Sequence, residues 1–121
     1  MQAINLKRMA FLSEETLTTL FGLQRRLVLI LNEARATEYA ILELFGETEE
    51  TIPELDELQN VTERARDSYT RLSRILLLVA DAQPIADAAI VELMERALAQ
   101  AEANADASEP SVQEIKRNWN L

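Results

Sequence analysis

The chain has 121 residues, is 48% hydrophobic, carries a formal net charge of −9, and contains neither histidine nor cysteine. These absences exclude disulfides, thiol nucleophiles, imidazole acid-base catalysis, zinc sites built on His or Cys, and haem held by those residues. The acidic balance also argues against a phosphate-backbone partner, so no nucleic acid is expected.

The length is that of one domain with a real core. Abundant Leu, Ala, Glu and Arg, with only two Gly and three Pro, predict an all-α chain by intrinsic propensity. Residues 1–12 carry Lys7 and Arg8 and no acid, with Ile4, Leu6, Met9 and Phe11 between them. This stretch is expected to be an arm over the bundle end, the alternative being a basic amphipathic segment that touches an acidic partner or membrane surface.

From Ser13 to Phe45 the spacing predicts one long helix. Leu20, Leu27, Ala34 and Ile41 recur every seven positions, and Leu23, Ile30, Thr37 and Leu44 follow three later, which is the seam of a packed helix. Ser13 is placed to cap the first amides, Leu12 and Leu17 to form a hydrophobic staple, and Gly46 to end the helix in a left-handed turn. Gly22 is the point at which the helix could break in two. Because Leu27 to Leu31 is apolar all the way round, the helix asks for burial on more than two sides. A homodimer follows as an expectation, with Phe21, Leu27, Val28, Leu31, Glu38 and Leu42 as candidate interface residues and a two-fold contact. Gln24 and Glu38 interrupt an apolar column, so either an arginine from another helix or subunit is expected opposite Glu38, or that side of the helix is partly wet.

Thr51 with Glu54 has capping-box spacing, and Pro53 suits a first helical turn. The acids between Glu47 and Glu57 lack the Asp/Asn alternation and the Gly of a calcium loop, so they read as a solvated helix start. A second helix should run to about Ala82 on the rows Leu58, Ala65, Leu72, Val79 and Val61, Ser68, Ile75, Ala82, with Asp67 and Arg71 as an i, i+4 pair. Arg64, Arg66, Arg71 and Arg74 decorate it.

Asp81 or Gln83 is the expected cap of a third helix, with Pro84 in its first turn and Ile90, Leu93, Met94, Ala97, Leu98 and Ala101 on its packed face. The apolar signal fades after Ala101, which predicts a short third helix and an apolar groove left open near Leu42, Phe45, Leu55 and Leu58. The division of the chain is therefore an arm over 1–12, a bundle over 13–107 and a tail over 108–121. Ser108, Glu109 and Pro110 predict a break, and Ser111 with Glu114 predicts a new capping box opening a short amphipathic helix. Val112, Ile115 and Trp119, with Lys116 and Arg117 beside them, either dock that helix into the groove or present it to a partner.

Paired carboxylates such as Glu54 with Glu57 and Glu63 with Asp67 are the only catalytic material, and no cofactor or metal site is assigned to them. The apolar runs are far shorter than the roughly 20 residues that span a bilayer. No secretory signal is recognised at the N-terminus, so a cytoplasmic protein is expected. The sequence points to a small interaction or adaptor protein without catalytic activity, acting as a helical dimer with an unidentified protein partner. The alternatives are a ligand-binding helical regulator with a pocket between Leu27–Leu31 and Leu76–Val79, and a Mg²⁺-dependent all-α hydrolase.

Overall fold

A computed structural model describes residues 12–82 and 87–121. Three helices account for nearly all of them: α1 over Glu14–Phe45, α2 over Ile52–Asp81 and α3 over Ala88–Asn118. They are 32, 30 and 31 residues long, each about 45 Å at 1.5 Å per residue. Every pair of helices packs together, giving an all-α bundle. The chain runs up, down and up, so α2 is antiparallel to both neighbours while α1 and α3 are parallel. Residues 1–11 and 83–86, including Gln83 and Pro84 and most of the expected N-terminal arm, lie outside the described residues.

The core follows the sequence rows closely. Leu20, Leu27, Ala34 and Ile41 of α1 meet Leu58, Val61, Ala65, Leu72 and Val79 of α2, all almost fully buried. Ser13 caps α1 as expected, accepting from the Thr16 amide at 3.1 Å, and the partly buried Leu12 packs against the core. Gly22 does not break the helix. Its exposed position has open space where a Cβ would be, so it costs only its own flexibility.

Gly46 ends α1 at φ 75°, ψ −174°. This is the extended positive-φ region that is essentially reserved for glycine, rather than the compact left-handed turn expected. The Gly46 amide returns to the Ile41 and Leu42 carbonyls at 3.2 and 3.1 Å. Thr51 then takes a different role from the expected capping box, for its side chain makes no cap bond to α2. Buried to 1% exposure, its hydroxyl donates to the Gly46 carbonyl at 2.8 Å and accepts from the Thr48 amide at 2.8 Å. The turn is closed from inside because a backbone carbonyl and amide that leave the helix ladder need partners.

The largest departure concerns α3. It starts later than expected, with Asp87 as cap accepting from the Ile90 amide at 2.9 Å, and Asp81 is the last residue of α2. It then continues through residues 102–118 as one helix with Pro110 inside it, where a break and a separate short helix were expected. Met94, Ala97, Ala101, Ala105, Ser108, Val112 and Ile115 form one buried row, spaced by threes and fours. Small side chains in the middle let the helix axes approach there, while Val112 and Ile115 bury more surface beyond. Proline in a helix interior costs about 3 kcal/mol, yet Pro110 sits on the exposed side and the packing on both sides of it holds the helix together. On the inner side the Ser108 hydroxyl is buried with no hydrogen-bond partner among the described residues. The end of the bundle expected to stand open is covered by the last turns of α3.

Candidate functional site

Polar contacts between helices fix the register and identify the side chains already engaged. Gln24, at 7% exposure, donates to Ser73 Oγ at 2.8 Å and to the Tyr69 carbonyl at 3.3 Å. It therefore pins α1 to α2. Between α2 and α3, Asn104 donates to Ser68 Oγ at 2.6 Å and accepts from Gln100 at 3.1 Å. Between α1 and α3, Arg26 holds Asp106 at 2.9 Å and Glu109 at 2.5 Å, and Lys116 pairs with Glu33. Donating to the carboxylate of Glu109, and then to that of Asp106, raises the Arg26 pKa above its already high value, so the guanidinium stays charged throughout the folded protein's working range.

Each expected tail residue can now be placed. Val112 and Ile115 are core residues at 1% and 5% exposure, and so are removed from any displayed surface. Lys116 is committed to Glu33, and Arg117 is exposed. Trp119 packs on Phe45 with ring centroids 4.9 Å apart, and its indole N–H donates to Glu54 Oε2 at 3.0 Å. Of the two expectations for the tail, the structure has the docked one. Ser111, expected to cap a new helix, lies within α3 and donates to Glu57 Oε1 at 3.2 Å.

The candidate dimer residues divide. Leu27 is fully buried within its own bundle, which withdraws it from an interface, and Leu31 is partly buried. Glu38 is partly exposed and meets Arg35 on its own helix at 3.3 Å, so of the two expectations for it the partly wet side is the one found, and no arginine reaches it from another helix among the described residues. Phe21, Val28 and Leu42 do stand exposed. The sequence reading missed Leu29 and Tyr39, which share the outward side of α1 with Phe21 and Val28. These four side chains are 50%, 67%, 54% and 49% exposed in the order named. The signal was present in the all-round apolar run Leu27 to Leu31, which assigns an outward face as well as an inward one. Asp67 and Arg71, expected to pair, are both exposed and form no ion pair among the described residues. Arg64 instead reaches Glu57 at 3.3 Å.

Val28 and Leu29 form a crest between shallow depressions. On one side, Val28 and Leu31 line a cavity of about 180 Å³ with Ala65, Arg66 and Tyr69. On the other, Leu29 and Ile30 line one of about 200 Å³ with Glu33, Glu109 and Val112. Both are smaller than the 300 to 1,000 Å³ roughly expected of a small-molecule pocket, while two more open depressions, one with Phe21 and Gln24 and one between Arg71 and Arg96, are about 320 and 400 Å³. Among the described residues no three Asp or Glu side chains come together as a metal cluster, and no helix is long and apolar enough to cross a membrane. Comparison with protein-family models, with curated proteins and with solved structures found no match for the chain.

Proposed function

We propose that this is a small non-catalytic interaction protein that works as a homodimer through the outward side of α1. The observation that carries the reading is the exposed set Phe21, Val28, Leu29 and Tyr39 on a helix whose opposite side already fills the core. Phe21, Val28 and Leu29 lie within about two turns of one another and Tyr39 about 15 Å further along the same side, and large apolar side chains left in water on one side of a helix suit association. A self-complementary patch on one helix meets a second copy most simply through a two-fold axis.

The partner-facing part of the dimer is the acidic turn between α1 and α2. Glu47, Glu49 and Glu50 are exposed there and enter none of the ion pairs among the described residues. The docked tail gives that role up to the turn. Sedimentation equilibrium between about 1 and 100 µM, spanning ordinary dimer affinities, tests the dimer. A two-chain mass is expected, with Tyr39→Glu lowering it to one chain at unchanged helix content. A wild-type monomer throughout that range overturns the reading.

A further inference from the structure

The centre of α1's outward side carries a pattern of its own. Thr18, Gly22, Arg25, Leu29, Asn32, Ala36, Tyr39 and Glu43 follow one another at spacings of four and three, and all of them are exposed. This is a helix seam, set opposite the seam that α1 uses for its own core. Its ends are oppositely charged. Arg25 and Glu43 are eighteen positions apart, five turns at 3.6 residues per turn, so they point the same way about 27 Å apart. Neither is used inside the bundle, since the ion pairs among the described residues involve other side chains.

We infer that two copies pack α1 against α1 in antiparallel order, with the two-fold axis passing between Asn32 and Ala36, so that Arg25 of each copy meets Glu43 of the other. This rests on the dimer reading above and specifies its geometry. A parallel pairing would set Arg25 against Arg25 and Glu43 against Glu43, two repulsive contacts, whereas the antiparallel one makes two attractive contacts. The same axis sets Leu29 opposite Tyr39 twice, an aliphatic side chain against an aromatic face. It brings Asn32 opposite Ala36 at the centre, where a small side chain permits close approach and a lone polar one marks the register. Phe21 and Val28 flank the seam towards α2, where both line a third, more open depression of about 320 Å³ with Gln24 and Tyr69.

Cross-linking tests the geometry, because the chain has no cysteine of its own. The Leu29→Cys/Tyr39→Cys double variant is expected to form a disulfide-linked dimer under mild oxidation. The two positions on one helix are about 15 Å apart and cannot bond within a chain. Leu29→Cys alone is expected to remain uncross-linked, since its two copies would also stand about 15 Å apart along the axis. Charge exchange gives a second measurement. Arg25→Glu or Glu43→Arg should each weaken the dimer about tenfold through two like-charge contacts. The double exchange should return it to within about twofold of wild type. Cross-linking of Leu29→Cys alone would establish a parallel contact and overturn the inference. So would a wild-type dimer that shows neither cross-link nor charge coupling, which leaves the dimer reading in place. A wild-type monomer overturns both.

Discussion

Trp119 and Glu54 meet at 3.0 Å, indole N–H to carboxylate, tying the C-terminal cap of α3 to the first turn of α2. The contact joins residues 65 positions apart in sequence at the end of the bundle where the chain also turns from α1 to α2. Trp119→Phe keeps a ring against Phe45 and removes the donor, so a loss of about 1 kcal/mol is expected. Trp119→Ala removes both and should cost about 3 kcal/mol. Urea unfolding followed by circular dichroism measures both variants. Equal losses would mean that the hydrogen bond carries all of the contact and the ring none.

Thr51 should be among the least replaceable polar residues. Thr51→Val keeps the shape but leaves the Gly46 carbonyl and the Thr48 amide without their side-chain partner, which is expected to cost about 1 to 3 kcal/mol. Thermal unfolding reads the loss, and a melting temperature within error of wild type would show that water satisfies the turn. A capping role alone would make Thr51→Ser nearly neutral. The interior position predicts instead that Ser also loses the packing of the buried methyl.

Pro110 is predicted to be a net cost to the fold. Pro110→Ala supplies an amide for the Asp106 carbonyl and should stabilise by about 1 to 3 kcal/mol. Ser108→Ala, which removes a buried hydroxyl that lacks a partner, should be neutral or stabilising. Chemical denaturation of the two single variants decides. A destabilised Pro110→Ala would show that the proline directs the path of α3.

Gly22→Ala meets nothing within 4 Å and should add about 0.5 to 1 kcal/mol by limiting the unfolded chain and improving helix propensity. The denaturant midpoint should rise at unchanged slope. A drop would locate a contact at Gly22 that the isolated bundle does not have.

The heptad rows of α1 and α2 made two helices, their pairing and most of their buried residues legible, because large aliphatic side chains at regular spacing leave little choice of face. The third helix was legible only in its first half. Past Ala101 its packed row runs through Ala105 and Ser108, side chains too small to register as apolar signal, and Pro110 looked like an end. What overrides the local signal is tertiary: Val112, Ile115 and Trp119 gain burial only if the helix runs on. The outward face of α1 was half legible for a related reason. A run that is apolar all round says that two sides need cover, but assigning Leu27 inward and Leu29 outward requires the positions of α2 and α3.

The unbroken third helix also bears on how the protein comes into being. Folding during synthesis proceeds from the N-terminal end, and here the hairpin of α1 and α2 is made first, with the side meant for α3 bare. Val112, Ile115 and Trp119 are added only after that hairpin, and until they are in place that side remains open to water and to neighbouring chains. Newly made protein is therefore most exposed to mispairing before the second half of α3 has docked, while the apolar troughs of two such hairpins can cover one another.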